Sequence, residues 1–493
     1  MNTTVVASGT REAAPGEAPA TLPDGLVVVV KEECETCRMV APLLAELAAF
    51  GNFTVYTQDD PSFPHGVAAV HDHDLAVSWH HDIETVPTLI RVAGGREVER
   101  TVGWSRADWR RITSVDTLGA DLPAARPGCG SLSVDPDRVD ELRVQFAAGR
   151  LRSRRVELAE REDDSEAMFT RGWTDGLPVV PPTEERVLRM LEGTTRDPAE
   201  VVATVPPDLV DVTVEKVAIA AVMAGCLPDY LPWVLTAVEA VCNDKFNIHG
   251  VLATTMPVGP VIVASGPGTR AIGMNAGVNA LGQGNRANST IGRALQLVVR
   301  NVGGGRPGGV DRATHGNPGK VSFCFAERAD SPFDSLAESR GASPGGDAIT
   351  VFAGEGPRCV VDQISRRPES LATSLAACLR TLHSPKLVLG FDVLLVVGPE
   401  HARVFAEAGW DRARVLDELD ARLQIPGAEL VRGAGGIDEG LPASFSDKTL
   451  PKFRPGGILL ACAGGGAGLF SAIIGGWANG DVGSQPVTRE VVA

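Results

Sequence analysis

Residues 26–40 read Leu-Val-Val-Val-Val-Lys-Glu-Glu-Cys-Glu-Thr-Cys-Arg-Met-Val, and this stretch decides the fold of the amino-terminal part of the chain. Leu26–Val30 is a continuous apolar run, mostly β-branched, which predicts a buried strand. From Met39 onward the apolar residues Met39, Leu43, Leu44 and Leu47 recur at helical spacing. Cys34-Glu35-Thr36-Cys37 therefore lies at a strand-to-helix junction. A helix start leaves backbone N–H groups unpaired and carries a partial positive charge. Both favour a thiolate at Cys34, which makes it the attacking nucleophile. Cys37, one turn later, is the resolving thiol.

Working outward, Thr54–Thr57 and Thr88–Val92 read as further strands, and Arg96–Val102 as a hairpin partner to the second. Gly103-Trp104 closes the hairpin, and Arg106–Ile112 begins a helix. Val86-Pro87 precedes a strand, the place for a cis-proline turn. With C-E-T-C at 34–37, V-P-T at 86–88 and this element order, residues 23–115 resemble the thioredoxin family. The resemblance implies a thioredoxin fold, Cys34 and Cys37 as the catalytic redox pair, and Pro87 in cis against the dithiol. Glu33 stands where thioredoxins usually have Trp. Glu32, Glu33 and Glu35 oppose a thiolate electrostatically, whereas Lys31 and Arg38 favour it.

A C-x-x-C pair is also half of a structural zinc site. His71-Asp72-His73-Asp74 and His80-His81-Asp82 are the nearest candidate partners. Their spacing matches no familiar metal motif. A polar, solvated segment is the preferred reading of His71–His81, with no metal and no required cofactor beyond the redox-active disulfide itself.

The whole chain has 493 residues, enough for two or three domains. Its formal charge of −16 disfavours a nucleic-acid or anionic-membrane partner. Residues 1–22 lack the basic and apolar regions of a signal peptide and read as a disordered leader. The nine cysteines are odd in number and widely spread, which fits reduced thiols in a cytoplasmic protein. Residues 116–168 read as a linker, turn-rich at first and then a charged helix over 139–162. Cys129 lies in it between Gly128 and Gly130, so its backbone can approach another group. Cys129-Gly130-Ser131-Leu132 resembles the U-G-S-C motif of bacterial UGSC proteins in all but its last residue. A lone redox thiol exchanging with Cys34 is one reading of Cys129; a structural loop thiol is the other.

Residues 169–493 alternate strand-like and helical runs, which predicts a larger mixed α/β domain. The fold class is thus α/β, a thioredoxin fold followed by a second α/β domain. Neither a dinucleotide fingerprint nor a Walker A loop is present. The densest group of candidate ligand-binding residues is Asn285, Arg286, Asn288, Ser289, Arg293, His315 and Lys320, where Asn and Arg lie among glycines. Gly465 and Gly466 lie in a second glycine-rich loop after Ile458–Cys462, expected to lead into a helix and to cradle an anion or oxyanion. Turns that merely connect strands are the competing explanation for both. T-D-G-L-P-V at 174–179, N-A-L-G-Q-G-N-R-A-N-S-T at 279–290, H-G-N-P-G-K at 315–320 and G-G-G-A-G-L-F-S at 464–471 resemble a largely uncharacterised bacterial α/β family, some members of which carry a thioredoxin-like domain.

The favoured function is a thiol-dependent redox enzyme. Its dithiol serves a carboxy-terminal domain that acts on a small anionic substrate, by reduction or carbon–sulfur bond chemistry. A thiol reductant and self-assembly into a homo-oligomer are compatible with it. The alternatives are a non-redox lyase or hydrolase with a docking thioredoxin module, and a thiol-, selenium- or metal-binding protein.

Overall fold

The structure is a computed structural model. It describes residues 4–10, 21–49, 51–147, 151–159 and 162–492. The chain forms two compact units, one of residues 12–152 and one of residues 1–11 with 153–493. Among the described residues no helix is long and apolar enough to cross a membrane.

The smaller unit is built on a five-stranded mixed sheet. Its central strand Gly25–Val30 runs parallel to Phe53–Thr57 and antiparallel to Thr88–Ala93. Ala69–His71 and Arg96–Val102 form the two edges. Val27–Val30 are wholly buried, as a continuous β-branched run requires when both faces are covered. The helix Glu35–Ala48 follows directly and buries Cys37, Val40, Leu44 and Leu47. The Val86–Pro87 peptide is cis.

The boundaries differ from those read in the sequence. Residues 116–152 belong to the smaller unit. Leu118 is fully buried in its core, and Leu122 and Cys129 pack against that core. Ala125–Arg126 pairs with Trp104–Ser105, and Cys129–Gly130 pairs with Thr85–Val86. The expected linker is therefore partly sheet. The charged helix is confined to Val139–Ala147; Ser153–Glu157 is a strand paired with Thr4–Thr10, in a stretch expected to be a disordered leader. The arginines of 152–155 obscured that strand, in which Ser153 is buried and donates its N–H to Glu215 at 2.9 Å.

The larger unit is organised around an eight-stranded mixed sheet with an internal two-fold pattern. Gly259–Ser265 pairs parallel with Cys324–Ala326 and antiparallel with Ala348–Gly354. Phe391–Val397 pairs parallel with Ile458–Cys462 and antiparallel with Phe470–Ala478 in the same order. The two half-sheets join at Gly354 and Gly476. The same Gly-Pro dipeptide, Gly266-Pro267 and Gly398-Pro399, follows the leading strand of each half and opens a helix. Phe470–Ala478 follows the second glycine loop, where a helix was expected. Its Gly475-Gly476 pair looks like a break but marks a close approach of neighbouring strands.

In the second half-sheet, Val393, Leu395, Val397, Leu460 and Ile473 join one core, while Leu394, Val396, Leu459, Ala461 and Ile474 join another on the opposite face. The alternation is the two-residue period of a strand covered on both sides. At the junction, a Cβ on Gly354 would lie 2.7 Å from Ile474 Cγ2 and 2.9 Å from Val261 Cγ2. One on Gly476 would lie 2.6 Å from the Asp392 carbonyl oxygen. Gly354→Val should therefore overpack the join and destabilise the protein by about 1–3 kcal/mol. Urea unfolding checks this; an unchanged midpoint would show that the halves are not locked there.

Candidate functional site

Cys34 is the N-cap of Glu35–Ala48, and its Sγ accepts the Cys37 N–H at 3.4 Å. When protonated it can donate to the Val86 carbonyl oxygen, 3.4 Å away. Hydrogen bonds from the Cys37 thiol, the largest influence, and from the Cys129 thiol and the Cys37 and Thr36 N–H groups bring its pKa down to about 5, against the opposing effect of burial. Burial, reinforced by the neighbouring Cys34 sulfur, pushes Cys37 far up. Cys129 is raised as well, by burial first and then by Cys34. The arrangement separates the thiols into one stable anion and two protonated donors around it, the condition for ordered thiol–disulfide exchange.

The segment carrying Cys129 is held over Cys34 by directional contacts. Thr36 Oγ1 donates to the Pro127 carbonyl at 2.7 Å, and Arg126 pairs with Glu35. Cys129 is in register with Val86, and Ser131 N–H donates to the Glu84 carbonyl at 2.9 Å. Gln58 Nε2 donates to Ser131 Oγ at 2.6 Å and to Ser78 Oγ at 2.7 Å, while its Oε1 accepts the Leu132 N–H at 3.0 Å. Ser78 in turn donates to Asp72 Oδ2 at 2.6 Å. Gly128 is required by space, since a Cβ there would meet Thr85 Cγ2 at 2.4 Å and the Val86 carbonyl oxygen at 2.6 Å. Cys34 is completely buried, whereas Cys129 is partly exposed.

Of the acidic residues near the dithiol, Asp59 and Glu35 have local partners for their carboxylates. Asp59 accepts the Glu32 and Glu33 N–H groups at 2.7 and 3.0 Å, and Glu35 is paired with Arg126. In the histidine-rich segment, Asp72 is buried and accepts the Val77 and Ser78 N–H groups. It braces the helix Ala76–His80. Among the described residues no group of three or more His, Cys, Asp or Glu side chains is placed to hold a metal ion.

The candidate ligand residues of the larger unit do not converge on one site. Asn288, Ser289 and Arg293 line a cleft of about 720 Å3; His315 and Lys320 line another of about 590 Å3; Gly465 lines a third of about 420 Å3. Asn285 caps the helix Arg286–Asn301 by accepting the Asn288 N–H at 3.0 Å. Asn288 is buried and its amide holds the 275–280 turn, through the Asn275 N–H and the Asn275 and Ala280 carbonyls. Arg293 makes a bidentate pair with Asp175 at 2.7 and 2.8 Å and also donates to the Leu177 and Pro178 carbonyls. Lys320 pairs with Asp311 at 2.7 Å, and Arg286 donates through Nε to the Gly225 carbonyl. The Arg293 and Lys320 charges are thus matched by carboxylates of the same unit, which removes the strongest argument for an anionic ligand there. Gly466 lies in the turn beside Gly465, with open space around its Cα.

No family model matches the chain, and comparison with curated proteins gives no significant match.

The low Cys34 pKa sets a pH signature. The unperturbed thiol titrates near 9.0 and the folded one near 5. The resulting stabilisation of the reduced protein is full above pH 9 and drains away as the pH falls through 5. Thiolate absorbance near 240 nm should show a step centred near pH 5 that disappears in Cys34→Ser. A first step near pH 9 would contradict the assignment.

Proposed function

We propose that the smaller unit is a thioredoxin-like thiol–disulfide oxidoreductase in which Cys129 is the outward-facing thiol of a three-cysteine relay. The observation that carries the proposal is the placement of a partly exposed Cys129 against a buried, low-pKa Cys34. Because Cys34 is completely buried, a substrate disulfide meets the partly exposed Cys129 first.

The exchange balances as follows. Cys129 passes its proton along the hydrogen bond to Cys34 as its sulfur attacks one sulfur of the substrate disulfide; the other sulfur takes that proton and leaves as a thiol, and a mixed disulfide remains on Cys129. Cys34 thiolate then attacks Cys129 Sγ, and the second substrate thiol leaves. Cys37 sulfur attacks Cys34 Sγ, freeing Cys129 and closing the Cys34–Cys37 disulfide. Two electrons have passed from the dithiol to the substrate, and an external dithiol resets the pair. The low pKa of Cys34 keeps it the thiolate nucleophile of the second step. The strand order, the C-x-x-C at a helix start and the adjacent Pro87 support the thioredoxin-like reading. Covalent linkage to the larger α/β unit supports a dedicated role, because linkage raises the effective concentration of the reductant for chemistry on that unit. A small sulfur-containing substrate fits this better than a general protein-disulfide pool.

The test is a steady-state assay of disulfide reduction driven by an excess of small dithiol. Cys34→Ser should abolish turnover, and Cys129→Ser should slow it by at least about tenfold, because attack must then reach a buried sulfur. Full activity in either variant would overturn the relay.

A further inference from the structure

The third cleft holds a group that the thiol chemistry does not use. His401 is completely buried beneath the second half-sheet. Its Nε2 lies 3.2 Å from the Asp362 carbonyl oxygen and its Nδ1 lies 2.8 Å from Ser471 Oγ. A carbonyl can only accept, so Nε2 carries the proton and donates it there. Nδ1 is then the lone-pair nitrogen, and the Ser471 hydroxyl donates to it. The Gly398 N–H donates to the same Oγ at 3.4 Å. Ser471 is fixed on a strand paired on both sides, with Val397 and with Val360.

Ser471 lines the cavity of about 420 Å3 together with Asn279, Gly282, Gly398, Gly465 and Phe470. None of its described lining residues carries a charge. The glycine loop walls it with backbone; a Cβ at Gly465 would come within 2.9 Å of Val278.

The internal repeat separates chemistry from architecture. In the first half, Ala348 pairs with Ser265 just before Gly266, as Ser471 pairs with Val397 just before Gly398. Thr269 stands after Gly266-Pro267 where His401 stands after Gly398-Pro399. The same strand–turn–helix is thus built with Ala and Thr, and the hydroxyl–imidazole pair is not a requirement of the scaffold.

We infer that Ser471 and His401 form a nucleophile–base pair that transfers the acyl group of a small, uncharged ester or thioester. The Ser471 proton moves to His401 Nδ1 as Oγ bonds to the acyl carbon. The C–O or C–S bond breaks, and Nδ1 returns the proton to the departing alcohol or thiol. Water then repeats the sequence on the acyl-serine and releases the acid, so no redox partner is needed. The inference is independent of the cysteine relay. Burial lowers the His401 pKa below the ordinary 6.5 and keeps the imidazole a base at neutral pH.

The experiment uses the full chain with a fluorophosphonate reporter and p-nitrophenyl butyrate. The reporter should map to Ser471 by peptide mass spectrometry, and Ser471→Ala should lose both label and esterase activity. His401→Gln should slow labelling by about a hundredfold, and the wild-type rate should be level from pH 6.5 upward. Absence of label on Ser471 in folded wild-type protein, or undiminished esterase activity in Ser471→Ala, would overturn the assignment. Should Ser471→Ala fail to fold, the site of the adduct on wild-type protein decides the matter.

Discussion

The smaller unit depends on one contact: the short pairing of Cys129–Gly130 with Thr85–Val86, which lays a loop across the start of the dithiol helix. A thiolate out of contact with water needs donors to replace it. The loop removes solvent from Cys34 and at the same time brings the Cys129 thiol to it. Thr36, Gln58 and Gly128 then have readable roles. Thr36 fastens the loop to the helix, Gln58 fastens it to the end of the strand Phe53–Thr57, and the missing side chain at Gly128 lets the two backbones meet. The histidine-rich segment enters the same account through Asp72 and Ser78, which brace Gln58 from below.

The larger unit is governed by a different constraint, the repetition of one three-stranded arrangement about a join that tolerates only glycine. Repetition places two Gly-Pro turns at corresponding strand ends, and Gly398 of the second turn lines the same cavity as Ser471. The cationic side chains that would suit an anion instead tie distant segments together. Asp175 reaches Arg293 across 118 residues of sequence, fastening the entry segment 174–178 to the helix Arg286–Asn301.

What the sequence disclosed follows from the range of the signals. Leu26–Val30, the helix beginning at Glu35 and Ile458–Cys462 are legible because continuous apolar runs and helical periodicity are local. The docking of 125–134 was not, because Pro127, Gly128 and Gly130 look like turn residues whether or not a sheet edge awaits them. Arg293 and Lys320 read as ligand residues because their carboxylate partners, Asp175 and Asp311, cannot be seen from composition. Ser471 and His401 lie 70 residues apart in the chain, and only the fold brings them together. The repeated Gly-Pro after Ser265 and Val397 was the one sequence signal that could have exposed the internal repeat and, through it, the asymmetry of the pair.

The claim that Cys129 is the partner of Cys34 is tested most directly in the Cys37→Ser protein, where the resolving step is blocked. Oxidation with one equivalent of diamide followed by non-reducing peptide mapping should yield a Cys34–Cys129 linked peptide as the main product. Recovery of Cys34 as a free thiol or as an adduct with an external thiol, with Cys129 unlinked, would contradict the account.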